Sequence, residues 1–197
     1  AEIRAGLSYV VEQPLIRTII INLTVVSLFG MSFITLLPAW AVKILGGDAA
    51  TNGYLQSARG AGAMIGALLL ATYSGMFPKG RLLTLGSFMM PVFVIIFSLA
   101  RWMPLSLALI FFTGSGFMVF ANSSNALTQS LVPDELRGRV MSIFTLAFFG
   151  FMPLGALLAG QVAARVGEPA TVLLGGSLLL VYSAWVWLRV PALRQMP

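Results

Sequence analysis

The sequence contains no cysteine and no histidine among its 197 residues. Without thiols the chain forms no disulfide and carries no thiolate metal site or cysteine nucleophile. Without imidazole it lacks the commonest zinc ligand and the base of a Ser-His-Asp triad. We therefore expect no metal site and no cofactor, and we do not expect an enzyme.

Charge is scarce as well. Asp, Glu, Lys and Arg make up 9% of the residues, whereas 58% are hydrophobic and the mean hydropathy is +0.94. A soluble domain carries about 25% charged residues, so this composition indicates that the chain resides in the lipid bilayer. The net charge of +6 does not indicate a nucleic-acid partner, because the basic residues are scattered between apolar runs and form no basic stripe.

Six apolar segments are long enough to cross a membrane, for which a helix needs about 20 residues. Their residues do not alternate between apolar and polar, as the strands of a membrane barrel do. Short turns connect them and force neighbouring helices to run antiparallel. The sequence therefore predicts an all-α membrane bundle over 15–190, with spans at 15–42, 52–75, 81–100, 104–131, 138–165 and 169–190.

Lysine and arginine are divided unequally between the two ends of these spans. Eight lie at one end and three at the other, while Arg59 lies within a span. Since cytoplasmic loops of membrane proteins carry the excess of positive charge, both termini are predicted to be cytoplasmic, with the protein in the inner (plasma) membrane. Residues 1–14 are predicted to form an amphipathic linker helix on the membrane surface, from Ile3, Leu7 and Val10, and 191–197 a cytoplasmic tail.

Polar side chains within the spans mark candidate sites, because they are costly in lipid. In the fourth span they fall at spacings that share one helical face, which suits either a substrate cavity or hydrogen bonding between helices. The third span is nearly free of polar residues and is expected to face lipid. The fourth-span residues are Ser115, Asn122, Asn125 and Gln129.

Arg59 is the one ionisable residue well inside a predicted span. It either faces a central cavity or extends its stem toward the outer headgroups. Gln56 lies one turn earlier on the same face and shares either role. The spans contain no Asp or Glu, so an embedded proton-titrating carboxylate must come from elsewhere if transport is proton-coupled.

Glycine and proline residues predict close packing and bending of two helices. Gly62 and Gly66 form a small-xxx-small pattern in the second span, which lets two helices approach closely. The fifth span contains Gly155 and Gly160, and Pro153 in mid-helix should kink it or free a carbonyl group.

The segment between the fourth and fifth spans concentrates charge of both signs. Its carboxylates suit the positive end of the fifth helix, and its arginines suit pairing with them or with neighbouring helix ends. The segment is predicted to act as a conformational latch, unless it provides only helix capping and ordinary positive-inside charge. The candidate latch residues are Asp134, Glu135, Arg137, Gly138 and Arg139.

The same segment carries a family resemblance. Val132-Pro-Asp-Glu-Leu-Arg-Gly-Arg-Val-Met-Ser142 resembles the loop between the fourth and fifth helices in the C-terminal half of major facilitator superfamily transporters, in particular the group of the enterobactin exporter and the macrolide efflux proteins. Residues 53–66 and 2–10 are similar to other parts of that half. The loop after the second span lacks the acidic residue of the superfamily pattern, which puts a latch at that loop in doubt.

The resemblance implies a 3+3 inverted-repeat half bundle that works with an N-terminal six-helix half, or with a second copy as a dimer. It further implies alternating-access export of amphipathic small molecules such as drugs or siderophores, with protons as the expected coupling ion. Two alternatives stay open: a six-helix channel or receptor, and a structural half bundle without its own substrate site.

Overall fold

The structure is a computed structural model. It describes residues 2–73 and 75–196, with side chains from Ala5 onward. The side chains of Ile3 and Arg4 lie outside the described part, as do residues 1, 74 and 197. The described residues contain helices and turns but no strand. The α-helices are α1 (Glu2–Glu12), α2 (Pro14–Val25), α3 (Leu37–Lys43), α4 (Ala49–Tyr73), α5 (Lys79–Leu99), α6 (Met103–Leu131), α7 (Asp134–Thr145), α8 (Met152–Val166), α9 (Glu168–Arg189) and α10 (Pro191–Arg194).

Two of the predicted spans are interrupted helices. In the first span, Pro14–Lys43, a π-helical turn at Val26–Gly30 and a 3₁₀ turn at Ser32–Leu36 separate α2 from α3. In the fifth span, Asp134–Val166, a π-helical turn at Leu146–Gly150 separates α7 from α8. Irregular backbone at membrane depth is tolerated only where protein buries it or it lines a cavity.

Five helices are long and apolar enough to cross a membrane: the two interrupted spans together with α5, α6 and α9. The remaining long helix, α4, has 25 residues and the length to cross as well. The mean hydropathy of α4 is lower than that of the other five helices, because α4 contains Asn52, Gln56 and Arg59. The least apolar of the six long helices is thus the one that contains Arg59.

The third long helix, α5, is buried on one side and exposed on the other. Helix α5 packs between α6 and α9, with one side buried and Leu85 and Leu99 exposed on the other, so contact with lipid stays a prediction for the exposed side. Pro91 lies within α5 and has no N–H for the carbonyl group of Ser87. The hydroxyl of Ser183 in α9 donates to that carbonyl at 2.9 Å, so the proline creates a contact between helices.

Two short helices lie at the end of the bundle that holds most of the basic residues, here called the basic end. The first, α1, packs on α7 and buries Val10, while Leu7 and Val11 are exposed. A location on the membrane surface stays a prediction for α1. The second, α10, lies against the start of α5, where the Gly80 N–H donates to the Met196 carbonyl at 3.2 Å.

At the opposite end, the start of α4 is fixed by reciprocal hydrogen bonds. The backbone N–H of Thr51 donates to a carboxylate oxygen of Asp48 at 3.0 Å, and the N–H of Asp48 donates to the Thr51 hydroxyl at 3.2 Å. This is the arrangement of a helix capping box. The hydrogen bond from the Thr51 backbone lowers the pKa of Asp48 below its usual value, so the cap is charged at neutral pH.

Candidate functional site

Arg59 and Gln56 form a hydrogen-bonded pair on α4. The Nε–H of Arg59 donates to Oε1 of Gln56 at 3.1 Å, and both residues are half-buried. Since a helix rises 1.5 Å per residue, Arg59 lies about 15 Å along the axis from Ala49, near the middle of α4. Within the part of the chain that the structure describes, Arg59 has no ion-pair partner.

Residues of the first span, α4, α5 and α6 meet around Arg59. A small cavity beside it is lined by Met31 and Ile34 of the interrupted first span and by Thr113 and Phe117 of α6. The backbone of α6 approaches so closely that a Cβ at Gly114 would overlap the Arg59 carbonyl oxygen. Arg59 thus lies near the middle of α4, next to the irregular backbone of the first span.

The two π-helical turns contact each other. The hydroxyl of Ser27, in the turn of the first span, donates to the carbonyl of Phe148, in the turn of the fifth span, at 2.5 Å. A Cβ at Gly155 would overlap the carbonyl oxygen of Leu28, so the backbones of these spans are close there. Pro153 lies at the start of α8, directly after the second π turn. Because π turns occur frequently at functional sites, this paired interruption is a candidate hinge.

The predicted polar face of α6 has a buried part and an open part. Ser115 is buried, and its hydroxyl donates to the Gly62 carbonyl of α4 at 2.7 Å, so it joins helices rather than lining a cavity. Asn122 and Gln129 are exposed and Asn125 is half-buried, and the Gln129 amide N–H donates to Oδ1 of Asn125. The three amides form an open polar strip, here called the amide strip.

The amide strip and Arg59 are not brought together. Gly114, which contacts Arg59, lies about 12 Å along α6 from Asn122 and about 22 Å from Gln129, by the helix rise. The polar groups therefore occupy two depths, with Arg59 near the middle of the bundle and the amide strip toward the basic end.

The candidate latch residues lie on a helix and not in a loop, which corrects the expectation. The connection between α6 and α7 is only Val132 and Pro133, and the helix begins at Asp134. Arg137 pairs with Asp134 at 2.5 Å, one turn apart. Because both side chains are substantially exposed and on the same helix, this pair alone joins no two helices.

The other latch residues differ in their surroundings. Glu135 and Gly138 are exposed, and a Cβ at Gly138 would meet no described atom within 4 Å. Arg139 lies beneath α1, since a Cβ at Gly6 would be 3.0 Å from the Cβ of Arg139. The Tyr9 hydroxyl of α1 also donates to the Leu131 carbonyl at 3.3 Å. If a latch operates here, it joins α1 to the α6–α7 corner.

Two glycines of α4, Gly62 and Gly66, lie directly on α6. A Cβ at Gly62 would overlap the carbonyl oxygen of Phe111, and one at Gly66 would be 2.8 Å from that of Ser115. In the fifth span Gly155 has the same kind of contact with the first span. Gly160 does not take the packing role expected of it, because it is exposed and a Cβ there would meet no described atom within 4 Å.

Two features were missed by sequence reasoning. Lys43, at the end of α3, pairs with Glu168, the first residue of α9, at 2.5 Å, and thereby joins the first and last spans at the opposite end. Asn22 in α2 is 1% exposed and its side-chain oxygen has no described hydrogen-bond donor. Asn22 could have been singled out from the sequence, because it is an amide within an otherwise apolar span. The pairing of Lys43 with Glu168 could not, because the two residues are far apart in the sequence.

The family model described as transmembrane secretion effector matches residues 1–196. The chain therefore belongs to this family of major facilitator transporters, and the resemblance stated from the sequence is confirmed. The chain is 27% identical over 197 residues to the multidrug efflux pump Tap of Mycolicibacterium fortuitum, covering 100% of this chain and 47% of that protein. It is 26% identical over 195 residues to Tap of Mycobacterium tuberculosis, covering 98% of this chain and 46% of that protein.

The fold is also that of a major facilitator. A crystal structure of the peptide transporter POT in complex with alafosfalin superposes with a TM-score of 0.66 at 18% identity, covering 85% of this chain and 36% of that chain. The expected all-helical membrane fold is confirmed. The chain spans about half the length of the curated relatives it matches. Its family is one of transporters, which is not an enzyme class.

Proposed function

We propose that this chain is the C-terminal half of an exporter that moves amphipathic small molecules, such as drugs or siderophores, by alternating access with proton coupling. The observation that carries the proposal is Arg59, a cation at mid-depth in the bundle whose described neighbours include no carboxylate. Intramembrane charge is a functional feature by default. Its distance from the end of α4 exceeds the reach of an arginine side chain, which favours an internal role over contact with the headgroups.

The anionic partner of Arg59 is either the substrate or a carboxylate of an N-terminal half. Major facilitator halves meet at the substrate site near the midplane, and the position of Arg59 near the middle of α4 supports a role at that site. The relatives named as multidrug efflux pumps support export of small molecules. Exposed Met64 and Phe149 would add adaptable apolar surface, which suits binding of varied substrates.

The proposed orientation places the basic end in the cytoplasm, with both termini there, in the inner membrane. The support is the excess of Lys and Arg at that end. A structural half bundle without its own substrate site is the second candidate, favoured by the use of Ser115 as a helix-joining group.

The partner half is tested by the intact mass of the protein purified from its native membrane. We expect a mass about twice 21.1 kDa, as two fused halves require. A mass near 21.1 kDa in a species that cross-links to about 42 kDa would replace the fused half with a second copy of this chain.

Export is tested in inverted membrane vesicles that contain the whole protein, with an amphipathic anionic dye added outside them. We expect an imposed proton gradient to drive dye uptake and an ionophore to stop it. Replacing Asn122, Asn125 and Gln129 together with Ala should lower the rate of dye uptake about tenfold, because three polar side chains are removed from the proposed substrate path. A matched variant, Ser142→Ala, removes an exposed hydroxyl whose hydrogen bond is local to α7 and should transport normally. Normal transport by the triple variant would instead favour the structural reading of the amide strip.

A further inference from the structure

A polar cavity of about 410 Å³ lies at the basic end, between the start of α5, the end of α9 and the C-terminal segment. It is on different helices from Arg59 and the amide strip, so the proposed transport path does not use it. The cavity is lined by Pro78, Arg81, Thr84, Trp187, Arg194 and Gln195.

The cavity is positively charged and its charge is not neutralised by the described residues. Arg81 and Arg194 both line it, and no carboxylate does. Neither arginine has an ion-pair partner within the described ranges 2–73 and 75–196. The first turn of α5 contains Lys79 and Arg81 but no acidic residue, so repulsion between these cations is unrelieved by their own helix.

One of the two arginines, Arg194, is held by the fold rather than by a counter-ion. The guanidinium of Arg194 lies over the Trp187 ring, 4.8 Å from its centroid. The chain around Arg194 is fixed on α5, because Leu193 is buried and a Cβ at Gly80 would overlap the Leu193 carbonyl oxygen. Arg81 lines the same cavity from the first turn of α5. Two guanidinium groups that line one cavity suit a phosphate group, which arginine binds in a bidentate manner.

We propose that this cavity binds the phosphate of an anionic membrane phospholipid, such as phosphatidylglycerol. Soluble phosphate esters share this chemistry, but the position of the cavity favours the lipid. It opens at the end of two long apolar helices, where Trp187 is 43% exposed and the adjacent Leu188 is 68% exposed. Tryptophan is enriched at the level of the headgroups, and exposed apolar side chains beside the cavity would contact the acyl chains. The site holds the C-terminal segment against α5 and does not depend on the proposed transport function.

The test is native mass spectrometry of the intact protein released from nanodiscs that contain phosphatidylglycerol and phosphatidylcholine in equal amounts. We expect retention of phosphatidylglycerol in preference to phosphatidylcholine. Each arginine near the surface should contribute about fivefold to that preference, so Arg81→Gln with Arg194→Gln should lower it about 25-fold. Arg189→Gln is the control, because Arg189 is exposed at the end of α9, the helix that carries Trp187, and does not line the cavity.

Two further measurements control for misfolding and distinguish a lipid phosphate from a soluble phosphate ester. Arg81→Lys with Arg194→Lys keeps both charges and should retain most of the preference, which a misfolded protein would not. Millimolar glycerol 3-phosphate should leave the bound lipid in place. Displacement by glycerol 3-phosphate would overturn the lipid in favour of a soluble phosphate ester. Equal retention of the two lipids, or an equal preference in the double Gln variant and in Arg189→Gln, would overturn the site itself.

Discussion

Replacing Gly62 with Ala should destabilise the bundle by about 1–3 kcal/mol, the usual cost of forcing extra volume into a packed contact. The new Cβ would overlap the Phe111 carbonyl oxygen, and backbone of a neighbouring helix cannot rotate away as a side chain can. The helices α4 and α6 would have to separate. The hydrogen bond from Ser115 to the Gly62 carbonyl would then lengthen or break.

The chain offers a graded control for this prediction. Gly60→Ala makes the same change on the same helix, but its Cβ would meet no described atom within 4 Å, so stability should stay constant or rise with helix propensity. Gly66→Ala should fall between the two, because its nearest atom would be 2.8 Å away. Thermal unfolding of the purified protein in detergent measures the order. Equal midpoints for Gly60→Ala and Gly62→Ala would contradict the close contact of α4 with α6.

The same contact explains why the polar face of α6 could not be interpreted fully from the sequence. Ser115 and Asn122 are about 20° apart around a helix, by its geometry of about 100° per residue, so periodicity treats them alike. In the structure Gly66 lies level with Ser115, and the last residue of α4, Tyr73, comes level with Asn122 at the same offset. Helix α4 therefore covers Ser115 but ends before the level of Asn125. The sequence of α6 does not show where α4 ends beside it.

The positions of the long helices were more predictable. Apolar runs bounded by Lys, Arg and turn residues such as Gly167, at φ 84°, define where a chain can enter and leave a bilayer. The interruptions within the first and fifth spans were less predictable, because the spacing of apolar residues does not distinguish a π turn from an α turn. Pro153 signalled only the second interruption. Which side of α5 is buried was not predictable, since lipid and a packed membrane interior select the same apolar side chains.

Replacing Arg59 with Gln should lower dye transport by the whole protein at least tenfold, a change that corresponds to about 1.4 kcal/mol of transition-state stabilisation. The reason is that a half-buried cation at mid-depth loses its charge while the hydrogen-bonding pair with Gln56 is largely kept. Arg165→Gln is the matched control, because Arg165 is exposed near the end of α8 and its replacement should leave transport unchanged. Initial rates in vesicles, normalised to folded protein, give the measurement.

The residual transport of the Arg59→Gln variant distinguishes two roles for the arginine. If Arg59 contacts substrate, or orients a carboxylate of the other half, the remaining transport should still need a proton gradient, since the described spans contain no Asp or Glu at that depth. Loss of proton dependence with unchanged substrate binding would place the proton step on this chain and reject the proposed carboxylate in the other half. Equal rates for Arg59→Gln and Arg165→Gln would show that the cation has no part in transport, and the amide strip would remain the candidate contact with substrate.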